Sequence, residues 1–301
     1  MRQEKKSPVN QNVKEYLVEQ PDELLKYLLE YFSSKKRPLI KAILSGGQVK
    51  VNGQQITQFN HSLRKGDQLS INWSKPSKKV KLAQLNIIHE DNQLIVIEKE
   101  PGLLSVASAK EKSKTAIQIL KDHILARNPK DKVFVVHRLE REMSGILVFA
   151  KTAETQAKLQ NDWNNYVIDR RYVAIVEGRP NKAQDTLKNY LTINKNNRVF
   201  VSKSADGSSM AVTHYKVIKQ SRAFSMLELS TESGIKNQIR VQLAHIGHPV
   251  TGDKKYTAKK NPLARVALHA GLLEMIHPEN GEKLRFELVA PSSFRNLVTQ
   301  S

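Results

Sequence analysis

The sequence predicts an α+β fold: a mixed, largely antiparallel sheet with flanking helices, preceded by a small α/β unit. Three observations lead there. Short apolar runs at residues 94–97, 146–150 and 172–176 have the length of buried strands. Helical spacings lie among them without a regular strand–helix–strand alternation, which argues against a parallel, doubly wound sheet. Residues 74–84, opening with Ser74-Lys75-Pro76-Ser77-Lys78-Lys79, are lysine-rich and poor in apolar side chains. They read as a basic linker between a compact first unit at 13–73 and one larger domain at 85–301.

Residues 1–12 carry nothing to bury and are expected to form a disordered basic arm. Leu24, Leu25, Leu28, Leu29 and Phe32 recur at spacings of three and four and predict a helix. After a turn at 33–37, Leu39, Ile40, Ile43 and Leu44 mark a second helix that Gly46-Gly47 ends. Val49 and Val51 alternate with polar residues as a strand, and Asn52-Gly53 is a two-residue hairpin signal. Leu63, Gly66-Asp67, Leu69 and Ile71 predict a further turn and strand. In the larger domain, the strand at 94–97 ends in a turn at Pro101-Gly102, and helical spacing covers 115–125 and 153–163. Ile239, Leu243 and Ile246 share one face of a helix at 237–246, with Gly247 beyond its end. Strands at 266–276 and 284–288 flank a turn at Asn280-Gly281.

Charge narrows the function. Among 301 residues, 49 Lys plus Arg face 29 Asp plus Glu, for a net charge of +20. A self-repelling excess of that size points to a polyanionic partner and disfavours self-association, so a monomer is expected. With no cysteine, disulfide scaffolds, thiolate metal sites and cysteine catalysis are excluded. No apolar run reaches the roughly 18 residues of a membrane span. The first ten residues lack the apolar stretch of a secretion signal. A cytoplasmic protein is the expectation. The histidines show no zinc spacing such as HExxH, Ser45-Gly46-Gly47 is not followed by Gly-Lys-Ser/Thr, and no dinucleotide fingerprint is present. Neither metal nor cofactor is expected.

Three polar segments could carry chemistry. His137-Arg138-Leu139-Glu140-Arg141-Glu142-Met143-Ser144-Gly145 runs straight into the strand at 146–150. It reads either as a solvated loop of paired charges or as a site held by a rigid scaffold. Arg240 falls in the first turn of its helix, where the dipole disfavours a cation. It is either a tolerated surface arginine or one matched by a nearby carboxylate. Tyr172, after Arg170-Arg171, enters a buried strand and reads as core or as a site residue.

Taken together, these segments resemble the RluA/RluD type of RNA pseudouridine synthase. The likeness spans roughly residues 85–295. The family motif HRLDxxTSGxxxxAK is matched by His137 to Gly145 and by Ala150-Lys151. A later motif, GRxHQIRVHxxxxGHPxxGDxxY, is matched from Gly234 through Arg240, Gly247-His248-Pro249 and Gly252-Asp253 to Tyr256. Arg170-Arg171-Tyr172 matches a basic-x-Tyr strand motif, Lys99-Glu100-Pro101-Gly102 is similar to a KPxG turn, and Leu268-His269-Ala270 to Gly281-Glu282 is also alike. The first unit resembles an S4 RNA-binding domain, through Lys35-Lys36-Arg37, Ile40 to Leu44, Val49 to Gly53 and Leu63 to Asp67. The first 80 residues hold 15 basic against 7 acidic side chains.

The resemblance implies a pseudouridine-synthase-like sheet and an enzyme that flips a uridine out of structured RNA and isomerises it without a cofactor. Large-subunit ribosomal RNA is the first expected substrate and transfer RNA the second. Carried over by position, Glu140 is the carboxylate at the ribose C1′, Arg240 its ion-pair partner and Tyr172 the residue that stacks on the base. Arg138 fills the gap left by the flipped base. Lys35, Lys36, Arg37, Lys41, Lys50, Lys75, Lys78 and Lys79 would hold RNA phosphates.

This chain departs from the motifs at Glu140, where the family has aspartate. Met143 replaces threonine, Ile235 arginine, and Asn237 and Gln242 each a histidine. The extra methylene of Glu140 moves its oxygens by about 1 Å or more, a displacement that can cost on the order of a hundredfold in rate. The alternative is therefore an RNA-binding homologue that is weakened or non-catalytic. A glycosidase acting through Glu140 and Glu142 is remote, because neighbouring acids in one loop do not set up the ~5–9 Å opposed geometry of that chemistry.

Overall fold

The computed structural model describes residues 13–299 apart from 46, 57, 74–79, 109–110, 112–113 and 127. The expected arm at 1–12 and the candidates Lys75, Lys78 and Lys79 lie outside the described residues. The chain divides into two compact units, Met1–Val80 and Lys81–Ser301.

In the first unit, a four-stranded sheet has the spatial order Val13–Leu17, Gln68–Asn72, Val49–Val51, Gln54–Gln55, and its pairs are antiparallel. Helices Leu24–Tyr31 and Arg37–Ser45 bring Leu24, Leu28, Ile40 and Leu44 into one core with Val49, Val51, Leu69 and Ile71. Asn52 and Gly53 take φ of 50° and 78° between the paired Val51 and Gln54, which is the left-handed backbone a two-residue hairpin requires. Strand Val13–Leu17 is not apparent from the sequence: it is an edge strand with little buried surface, and Lys14-Glu15 breaks any apolar alternation.

The second unit is built on a twelve-stranded sheet. Its path runs Val199–Ser202, Gln184–Ile193, Ser209–Gln220, Phe224–Thr231, Val167–Glu177, Leu268–Ile276, Ser144–Ala150, Leu94–Lys99, Leu85–Glu90, Val80–Leu82. Phe134–Val135 pairs beside Ser144–Ala150, and Lys283–Glu287 beside Leu268–Ile276. Among the described pairs one is parallel, Ser144–Ala150 with Leu268–Ile276. The two strands come so close at Gly145 (φ 117°) that a Cβ there would stand 2.2 Å from the carbonyl oxygen of Ala270. Glycine is thus required at the point where the polar loop 137–143 enters the sheet.

Leu94, Val96, Ile146, Val148, Leu273, Met275 and Phe286 form the core beneath Leu159 of helix Ala153–Asn161. Thr115 caps helix Ala116–Leu125, its Oγ1 accepting the N–H of Gln118. The single helix that spacing predicts over 153–163 is two, Ala153–Asn161 and Trp163–Tyr166, because Asp162 leaves helical geometry at φ −137°. The strands between 184 and 231 are not evident from apolar patterning. There the polarity is partly inverted: Thr213 and Ser225 are fully buried, whereas Phe200 and Met210 are each 44% exposed. Among the described residues no helix is long and apolar enough to cross a membrane.

Candidate active site

The site assembles where the loop 137–143 meets the N-terminal end of helix Gln238–His245. Arg240 lies in that helix's first turn, as its spacing predicts, and is 5% exposed. Two carboxylates resolve the misplaced cation. Asp253, fully buried, takes a bidentate pair: Arg240 Nε donates to Oδ2 at 2.6 Å and Nη2 to Oδ1 at 2.7 Å. Nη1 is left to donate to Glu140 Oε2 and, at 3.3 Å, to Asn237 Oδ1. The planar fork therefore has a fixed back and a presented front. Burial works against the charge on Arg240, but Asp253 and Glu140 outweigh it and hold the guanidinium above its ordinary value. The ring of Tyr256 lies 5.2 Å from the guanidinium carbon and completes the cage.

Glu140 is thereby held at both oxygens. Oε2 meets Arg240, and Oε1 accepts the backbone N–H of Asn237 at 2.9 Å. The side chain remains 23% exposed, so the carboxylate is anchored without being sealed off. Glu142 stands farther out, with its Oε2 3.8 Å from Arg240 Nη1.

The main chain on either side of Glu140 is clamped to the turn after strand Leu94–Lys99. Ser105 Oγ donates to the Leu139 carbonyl at 2.7 Å and accepts the Leu139 N–H at 3.1 Å. Gly102 N donates to the Arg141 carbonyl at 2.7 Å, and Arg141 Nε returns a bond to the Gly102 carbonyl at 3.0 Å. Lys99, fully buried, donates to the carbonyls of Glu100, Leu103 and Arg141. At the loop's end, Ser144 Oγ meets His269 Nδ1 at 2.9 Å and accepts from Arg265 Nη2 at 2.9 Å.

Tyr172 sits on strand Val167–Glu177 opposite Ala270, the residue that also faces Gly145. With His137, Leu139, Trp163 and Arg170 it lines a cavity of about 20 Å³. Burial holds its phenol above the ordinary value against the pull of Arg170 and a hydrogen bond with Thr231, so it carries its proton at neutral pH. His137 is structural: Nε2 accepts the Val148 N–H at 3.1 Å, the ring packs on Trp163, and burial pushes its pKa down to about 3. Arg138 is exposed and makes no hydrogen bond or ion pair among the described residues.

Of the sequence-derived candidates, Glu140 and Arg240 meet directly, and the Glu140 charge also acts on Tyr172. In the first unit, Lys35, Lys36 and Arg37 are exposed together after the first helix, Lys41 is exposed on the second, and Lys50 is half-buried on its strand. Lys35 Nζ lies 5.5 Å from the centre of the Trp73 ring. The sequence alone assigns no role to Asp253, Asn237, Tyr256, Lys99 or Ser105. The signal for Asp253 is Arg240 itself, since a cation in a helix's first turn calls for a carboxylate from elsewhere in the chain.

A family profile described as RNA pseudouridylate synthase matches residues 93–245. The chain is 30% identical over 280 residues to the uncharacterised RNA pseudouridine synthase YlyB of Bacillus subtilis, covering 91% of this chain and 92% of that protein. It is 30% identical over 292 residues to ribosomal large subunit pseudouridine synthase D of Pasteurella multocida, covering 90% and 88%. The structure of human RNA pseudouridylate synthase domain containing 4 superposes with a TM-score of 0.57 at 22% identity, over 69% of this chain and 90% of that one. The chain belongs to the RNA pseudouridylate synthase family, and its mixed, mostly antiparallel sheet is that family's fold.

Proposed function

We propose that this synthase isomerises a uridine of large-subunit ribosomal RNA in the cytoplasm, with Glu140 as its working carboxylate and the first unit as an S4-like RNA-binding domain. The observation that carries the reading is the ordered chain Asp253–Arg240–Glu140, in which a buried carboxylate fixes the arginine that fixes the glutamate. RNA relatives named for the large ribosomal subunit support the choice of substrate.

The target base leaves its stack, and exposed Arg138, unpaired beside Glu140, occupies the gap. The uracil N1–C1′ bond breaks with its electron pair passing to N1. The Glu140 carboxylate meets the positive charge at C1′, either by bonding to it or by pairing with it. The base turns, C5 forms the new bond to C1′, the C5 proton departs and N1 takes up a proton, so the product is an isomer. Tyr172 stacks on the base and, as a protonated phenol, offers its hydroxyl to the proton transfers. Lys35, Lys36, Arg37, Lys41 and Lys50, with the linker lysines Lys75, Lys78 and Lys79, hold phosphates. The enzyme works as a monomer without metal or cofactor.

The test is tritium release from C5-tritiated uridine, in unmodified large-subunit ribosomal RNA and in unmodified transfer RNA. Release from the ribosomal RNA that stops in Glu140→Ala is expected. Release from transfer RNA alone would move the substrate, and no release from either would leave RNA binding as the function.

A further inference from the structure

We propose that Asn237 is the positioning residue that fits this site to a glutamate at 140, an inference that rests on Glu140 being the reacting carboxylate. Asn237 precedes helix Gln238–His245 with φ 57° and ψ 15°. A left-handed backbone at a residue other than glycine is strained, though asparagine tolerates it better than most. An asparagine before a helix also ordinarily turns its side chain to accept an N–H of the first turn. Asn237 makes no such bond. One residue thus gives up two local stabilisations.

Both concessions coincide with contacts to the site. The backbone N–H donates to Glu140 Oε1 at 2.9 Å. The side-chain Oδ1 accepts from Arg240 Nη1 at 3.3 Å, and Nδ2 donates to the Tyr256 hydroxyl at 2.9 Å. Asn237 therefore touches both members of the ion pair and the ring packed against Arg240. Tyr256 is buried in the turn that begins at Asp253, so the same side chain ties the helix to the element carrying the second carboxylate.

The contact is selective for the longer acid. An aspartate at 140 would withdraw its carboxylate by one carbon–carbon bond, about 1.5 Å, toward its own main chain. With the loop clamped at Leu139 and Arg141, a 2.9 Å bond lengthened by most of that distance is no longer a hydrogen bond. The glutamate reaches the helix terminus, and the left-handed asparagine turns an N–H to meet it.

The experiment is a double-mutant cycle on single-turnover rate between residues 237 and 140, with RNA affinity and thermal unfolding measured for each variant. Asn237→Ala keeps the N–H but strains the left-handed backbone, and it is expected to lower the rate by about ten- to a hundredfold, the scale of a misplaced catalytic group. Asn237→Gly, which adopts that backbone freely, should lose less than the alanine variant. In a Glu140→Asp background the Asn237→Ala loss should be several-fold smaller, because the N–H contact to the carboxylate is already gone and only the side-chain bonds to Arg240 and Tyr256 remain to be lost. Equal losses in both backgrounds would overturn the proposal and leave Asn237 as a brace for Arg240 and Tyr256 that takes no part in fitting the glutamate.

A second readout does not depend on turnover. The amide proton of Asn237, followed by nitrogen-resolved NMR at fixed pH, should move in Glu140→Ala, which removes its acceptor. An Asn237 amide unmoved by Glu140→Ala would also overturn the proposal. A parent without turnover whose Asn237 amide responds to Glu140→Ala would instead overturn Glu140 as the reacting group while leaving the contact in place.

Discussion

Replacing Asp253 with asparagine tests whether Arg240 is braced from behind. In the parent, Nε and Nη2 of Arg240 each give a charge-assisted bond to one Asp253 oxygen, at 2.6 and 2.7 Å, inside a pocket where Asp253 has no exposed surface. Asparagine keeps one acceptor and turns an N–H₂ toward a donor, so one bond is lost and the buried guanidinium loses half of its countercharge. A lost charge-assisted bond is worth about 1.5–3 kcal/mol, and breaking a buried pair about 3–5 kcal/mol. Glu140 remains to offset part of the charge, which places the expected loss near 3 kcal/mol. For a unit of this size that lowers the melting temperature by roughly 6–12 °C. The arginine should then swing off its axis and release Glu140, so the rate of tritium release at 25 °C, well below the transition, should fall by about a hundredfold. RNA affinity should hold within about twofold, since Asp253 lies behind the site. Parental melting and rate in Asp253→Asn would refute the bracing argument.

Other consequences follow from single contacts. Gly145→Ala places a Cβ 2.2 Å from the Ala270 carbonyl at φ 117° and should prevent stable folding of the second unit, read as loss of cooperative thermal unfolding. Burial, aided by nearby arginines, holds His137 at about 3 and His269 at about 4. Between pH 6.5 and 4 the unfolded chain binds the protons that these rings refuse, so stability is full above about pH 6.5 and falls as pH drops, by up to ~1.4 kcal/mol per unit for each ring. Urea unfolding across that window should show the slope, and His269→Gln should reduce it; an unchanged slope would remove His269 from the account. Replacing Lys35, Lys36 and Arg37 together with alanine should weaken RNA binding and lower the slope of log affinity against log salt by up to about two or three, whereas an unchanged slope would take this turn out of the RNA contact.

Much of this molecule is legible from residue pattern. The Asn52-Gly53 hairpin follows from local backbone preference, and Leu24, Leu28, Ile40 and Leu44 declare the first core by spacing. The strand at 146–150 declares itself by continuous burial, because it is covered on both faces. Where a face is wet, the pattern fails: Thr213 and Ser225 are buried while Phe200 and Met210 are exposed, and the strands carrying them pass unnoticed. The site divides in the same way. Arg240 announces a missing carboxylate by standing at the wrong end of a helix dipole. Which carboxylates answer is a tertiary fact: Glu140 lies 100 residues before it and Asp253 13 after. Lys99 and Ser105 are further from view, since their partners are main-chain carbonyls and an amide, which leave no mark on the sequence.

The most direct test of Glu140 as the working carboxylate is single-turnover tritium release by the parent, Glu140→Ala and Glu140→Asp on unmodified large-subunit ribosomal RNA. Turnover by the parent that is abolished in the alanine variant, with RNA binding kept, is the expected result. Release by the aspartate variant with none from the parent would contradict it, and would mean that the braced arginine holds a glutamate unable to reach C1′.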